Sequence, residues 1–290
     1  MNRTILAGIL ILTAGTTGAI AADKKPAQQA NQPATQQAAA PGPKPKSADE
    51  LKALQALFGA AGKPDEIIAA GENVLAKFPD TEFKDTVLFL EADAYRQKGD
   101  KDKMQVYAER ALQTNPKYYQ ADLMLSELIV QTTREHDLDR DEKLAKADKY
   151  ANEAIASIST AAKPNPQLTD PQWEDIKKDL TAQAHDALGM SALDAKKYDV
   201  AINELKMAAE GAAHPEPAYS VRLASAYQGA GKNDEAIAIT EKLMSDPTNP
   251  PQIKSVSQAI HAAAVVAKRG AAGGQQPAGT APPPQVEVKH

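Results

Sequence analysis

The stretch with the most obvious capacity for chemistry is DLDRDEKLAKAD, residues 137–148. Asp137, Asp139 and Asp141 alternate as the first oxygen ligands of a calcium loop do, and Asp148 falls where the last ligand would stand. Glu142, however, takes the place of the glycine that makes the sharp turn, and the last ligand is Asp where a bidentate Glu is needed. The stretch therefore reads as a charged loop between helices, with Asp139 and Glu142 forming a capping box for the helix that follows. His136, His185, His214, His261 and His290 show no zinc-type pairing with a carboxylate at helical spacing. The chain has no glycine-rich phosphate loop and no GxSxG nucleophile turn. It also lacks cysteine, which removes thiolate nucleophiles, disulfides, Cys metal sites and lipoprotein anchoring. The expectation is a chain without metal or cofactor that is not an enzyme, its scattered carboxylates forming the solvated faces of amphipathic helices.

The elements that would position any site are helical. The chain has 290 residues and only 4% aromatics, so its core must be built from Ala, Leu, Ile, Val and Met, which suits close helix packing. A formal net charge of −5 argues against nucleic acid, because phosphate binding needs a positive face, and gives no general attraction to anionic membranes. Sustained period-two alternation is missing, and helical spacing runs throughout.

Residues 1–22 read as a secretory signal peptide: Arg3, the short apolar core ILAGILIL, then AIAA, with cleavage after Ala21 or Ala22. The core is short for a membrane span, so the expected product is free of stable membrane insertion. An exported chain without cysteine fits a bacterial periplasm or a secreted location. Residues 23–46, rich in Pro, Gln and Ala, and residues 270–290 read as disordered linker and tail. Residues 47–269 remain as the helical repeat domain. Within it, Ser47 with Glu50 reads as a capping box, and Asp170 with Pro171 as a helix start.

A repeat organises that domain. Tyr95, Gly99 and Met104 are separated by four and then five residues, and so are Phe58, Gly62 and Ile67, and Tyr227, Gly231 and Ala236. Ala192, Lys196 and Ala201 are a weaker copy. Pro79, Pro116, Pro215 and Pro247 close the four units, 11 to 14 residues after the last member of each triplet. A period near 34 residues with two helical segments is the signature of a helical solenoid. The aromatic packs on the second helix, the glycine supplies the left-handed backbone that ends the first helix, and the small residue lets two helices approach.

These residues resemble tetratricopeptide repeats. The resemblance covers about 47–250 and includes Leu54 and Phe58; Ala92, Tyr95, Ala108 and Ala111; Leu125 and Ser126; Leu188, Gly189, Ala201 and Ala208; and Leu223, Ala224, Tyr227 and Ala236. Gly71 and Val74 depart from the pattern. The third unit carries an inserted segment, REHDLDRDEK (134–143), before Ala147, Ala151 and Ala154 resume the register. A Trp173-bearing helix opens the fourth unit, and Trp173 is expected to pack on the preceding repeat rather than anchor an interface. Met104 and Met207 are expected in the core.

The resemblance implies an all-α, right-handed α-solenoid of about five helix pairs, closed by a capping helix over 250–270. It also implies a concave groove that takes a peptide at Phe89, Asp93, Arg96, Leu123, Glu127, Met190 and Arg222. Phe89 and Leu123 stand at equivalent places and are expected to line one open apolar patch. The lysine and asparagine with which some relatives clamp a peptide carboxylate are not reproduced, since the places hold Lys52 and Ala56. The reading is an exported scaffold or adaptor that binds another protein or peptide. The alternative is a tethering protein of the cell envelope acting through its tails, and an enzyme comes last.

Overall fold

The structure is a computed structural model and describes residues 42–165 and 167–272. The signal segment, residues 23–41 of the linker and the tail beyond Ala272 lie outside the described residues. Among those described there are eleven α-helices and no strand. Five antiparallel pairs run in order: α1 (Ala48–Gly59) with α2 (Pro64–Lys77), α3 (Lys84–Gln97) with α4 (Lys101–Thr114), α5 (Tyr119–Thr132) with α6 (Arg140–Thr160), α7 (Asp170–Asp194) with α8 (Tyr198–Gly211), and α9 (Pro217–Gly229) with α10 (Asn233–Ser245). The closing helix α11 (Pro251–Ala272) packs on α9 and α10. Each helix packs on its successor in the chain, and the result is an all-α solenoid.

The turns carry the repeat. Among the described residues positive φ occurs only at Gly62, Gly99, Gly231 and Lys196, which are the four turn positions of the spacing pattern. At three of them the next residue's N–H reaches back five residues: Asp100 to Tyr95, Lys197 to Ala192 and Lys232 to Tyr227, at 3.0, 2.8 and 2.9 Å. This satisfies a carbonyl that the helix end would otherwise leave open, and it requires the left-handed residue in between. The small residues lie where helices cross closest, since Ala92, Ala108, Ala111, Ala201, Ala208, Ala224 and Ala236 are all fully buried.

Three cap assignments are corrected. Ser47 does accept from the Glu50 N–H at 3.1 Å, but the Glu50 carboxylate takes the Lys46 N–H at 2.6 Å, one residue before the cap. The α7 cap is Thr169 rather than Asp170, with Gln172 accepting from the Thr169 N–H at 2.9 Å. Asp139 precedes α6 without a side-chain cap bond, because its carboxylate pairs with Lys143 at 2.9 Å. Met104 is buried on α4, whereas Met207 is 49% exposed on the outer face of α8 and so is not core. Trp173 is buried, and its Nε1–H donates at 3.3 Å to the Ala161 carbonyl at the end of α6, in the preceding pair.

Candidate functional site

From the third pair onward, first helices touch one another, α5 packing on α7 and α7 on α9, and the closing helix α11 continues the row on α9. No comparable packing joins α4 to α6, α6 to α8 or α8 to α10. From the third pair onward the first helices therefore form the inner row of the curve and the second helices the outer one.

The seven residues expected in a groove separate into three groups on this framework. Phe89 and Leu123 are interior, each 3% exposed. The Phe89 ring lies 5.3 Å from that of Tyr118, and Leu123 is enclosed by Ala151, Ala154 and Ile158 of α6 with Ala184 and Ala187 of α7. The expected open apolar patch is thus corrected. At Leu123 the cause is length: α6 has 21 residues and α7 has 25, against 14 in α5, so the longer helices cover the face of α5. Phe89 is covered instead by Tyr118 and by the residues of α4 and α5 in its own cluster. Between Ala121 and Val130 only Glu127 is more than marginally accessible. Met190 is half-buried against Ile129, Val130 and Ala147.

Arg222 is buried too, but for a different reason. Its guanidinium donates to Asp186 at 2.7 Å, joining α9 to α7 in an ion pair that is itself shielded from water. Such a pair holds only because each charge offsets the desolvation of the other.

Asp93, Arg96 and Glu127 stay accessible. Asp93 accepts from Arg96 at 2.6 Å and from Gln97 at 2.7 Å on the same helix. Glu127 accepts from Gln131 at 2.9 Å and, across the helix boundary, from Gln183 of α7 at 3.4 Å. Asp93 with Gln97 and Glu127 with Gln131 stand 34 residues apart, so the same carboxylate–amide pair recurs on successive first helices. Gln97, Gln131 and Gln183 escaped the sequence reading, although the repeated four-residue spacing from a carboxylate marks the first two. Asp93, Gln97, Glu127, Gln131 and Gln183 together offer carboxylate and amide donors and acceptors suited to a main chain.

The acidic loop neutralises itself. Lys143 Nζ lies 2.9 Å from both Asp137 and Asp139, between the carboxylates that would have been the first ligands. The lysine's hydrogen bond, with one from the Arg134 N–H, holds the Asp137 carboxyl below the usual carboxylate range. Asp148 sits apart on α6, and its carboxyl is pushed up by burial. Among the described residues no three His, Asp or Glu side chains converge as a metal set. The loop is instead tied to the α7–α8 turn. Glu135 pairs with Lys196 at 3.0 Å, and the Arg140 guanidinium donates to the Asp194 carbonyl.

Two buried carboxyls also escaped the sequence reading. Glu91 on α3 and Asp122 on α5 are 0% and 1% exposed, and neither has a hydrogen-bond partner on its oxygens. Burial raises Glu91 to about 8 and Asp122 to about 7. The register could have revealed Glu91, because the equivalent places in the other four pairs hold Leu54, Leu125, Leu188 and Leu223.

No protein-family model matches the chain, and no curated protein matches it. Among solved structures, it is similar to a thermophilic TPR protein of Thermus thermophilus, with 20% identity over 75% of this chain and 99% of that one, at a TM-score of 0.49. No helix among the described residues is long and apolar enough to cross a membrane.

Proposed function

We propose that the protein is an exported repeat scaffold that holds an extended, polar segment of another protein along the inner row of α3, α5 and α7. The observation that carries this is the recurrence of Asp93–Gln97 and Glu127–Gln131 on adjacent first helices, with Gln183 joining the second pair from α7. A repeated donor–acceptor pair on stiff helices meets successive stretches of an extended chain with little ordering cost on the scaffold side. Apolar anchoring at Phe89 and Leu123 is replaced in this reading by polar contact at the wall. Export rests on Arg3, ILAGILIL and AIAA in the first 22 residues, and N-terminal sequencing of the mature protein should begin at Ala22 or Asp23.

The test of the groove is capture of partners by the full mature chain and by the double variant Asp93→Lys/Glu127→Lys, with circular dichroism as the folding control. The change removes both carboxylate acceptors from the wall and should weaken capture at least about tenfold, because a hydrogen bond to a charged group is worth about 1.5–3 kcal/mol. Full capture by a folded double variant would move binding to the outer helices or the tails, as the tethering alternative requires.

A further inference from the structure

Glu91 is a carboxyl in a leucine's place, and the helix opposite is shaped for it. Gly71 of α2 faces it, and a Cβ added there would lie 2.8 Å from both Glu91 Cγ and Oε1. Gly71 departs from the repeat pattern on the same seam where Glu91 does, so the two departures form one matched contact between the first and second helix pairs. We propose that the Gly71–Glu91 contact is a proton-controlled joint, closed while Glu91 is neutral and loosened when it ionises.

The surroundings decide the direction. The charged and titratable groups facing Glu91 are Glu72 from α2, with Arg110 and Tyr107 from α4. Glu72 opposes ionisation, and Arg110 favours it but is itself exposed and screened by water. Neither Glu91 oxygen has a hydrogen bond from the protein. An ionised carboxylate in that setting must gain water, and parting α2 from α3 at the close Gly71 contact admits it. Burial sets the transition near pH 8, above the ordinary carboxylate value of about 4.5. Asp122, on α5, faces Glu153 and Lys149 of α6 and belongs to a separate contact within the third pair.

The experiment is amide hydrogen exchange on the full chain at pH 6 and pH 9, corrected for intrinsic exchange and compared for residues 48–77 and 140–160. In the wild type, protection of α1 and α2 should fall at least about tenfold at the higher pH, in line with local opening of one cooperative unit. Glu91→Gln, of the same shape but uncharged, and Glu91→Leu, the residue of the other pairs, should both keep α1 and α2 equally protected at the two pH values. Asp122→Asn should leave the α1–α2 response intact. A pH-independent wild type, or an equal loss of protection in Glu91→Gln and Glu91→Leu, would overturn the proposal.

Discussion

Two seams of the solenoid bury charge in opposite ways. Between the fourth and fifth pairs, Asp186 and Arg222 meet at 2.7 Å, so both ions are kept and their attraction offsets the loss of water. Between the first and second pairs, Glu91 has no partner on its oxygens and stays inside by keeping its proton. The first solution depends on both partners being present. The second depends on pH at a single residue. One repeat architecture thus contains a fixed joint and a titratable one, and the difference lies in a few side chains on otherwise equivalent helices.

The largest effect is expected from removing one partner of the fixed seam. Arg222→Ala takes the guanidinium from the Asp186 carboxylate and should cost about 3–5 kcal/mol in urea unfolding at pH 7. The double variant Asp186→Leu/Arg222→Leu should recover most of that loss.

Glu91→Leu should behave in the opposite sense. Folded Glu91 keeps its proton up to about pH 8, whereas an unfolded glutamate loses it near 4.5, so the folded state holds an extra proton across that window. Stability of the wild type therefore falls as pH rises from 4.5 to 8 and levels off above it. The advantage of Glu91→Leu should grow over the same range to roughly 2–4 kcal/mol, since each pH unit over which only the folded state is protonated is worth at most about 1.4 kcal/mol. Denaturation series at pH 5, 6.5 and 8 would read this directly, and a constant difference would contradict it.

Ala236 tests the register that both seams rely on. It is fully buried where α10 meets α9, and Ala236→Phe should overpack that crossing by about 1–3 kcal/mol. An unchanged melting temperature would remove the register on which Glu91 is compared with the leucines. The smallest effect is expected at Lys196, whose φ of 58° is one that glycine adopts without strain. Lys196→Gly should stabilise by up to about 1 kcal/mol, partly offset by loss of the exposed pair with Glu135.

The seams differ in how far they can be read from the chain. The turn positions are legible, because only certain residues tolerate positive φ and the spacing of Gly62, Gly99 and Gly231 exposes them. Even Lys196 is legible, through its neighbours Ala192 and Ala201. The alanines are legible because close crossings exclude larger side chains. The burial of Phe89 and Leu123 is not. Repeat position says which way a residue points, but cover depends on what the neighbours bring: α6 and α7 outgrow the period over Leu123, and the Tyr118 ring lies against Phe89. Arg222 looks like an accessible cation in the sequence because its partner Asp186 lies 36 residues away on another helix. Glu91 is legible as a break in the leucine register, but the close contact that encloses it becomes visible only with Gly71 opposite.

The central functional claim is that the inner row meets the partner, and site-specific photo-cross-linking in the native compartment tests it most directly. A photoreactive residue would be placed in the full chain at Gln97 or Gln131 on the inner wall, and at Val106 or Met207, which are 52% and 49% exposed on outer helices. Both inner positions should give one discrete cross-linked product and the outer ones none. Cross-links from Val106 or Met207 with none from Gln97 or Gln131 would contradict the claim.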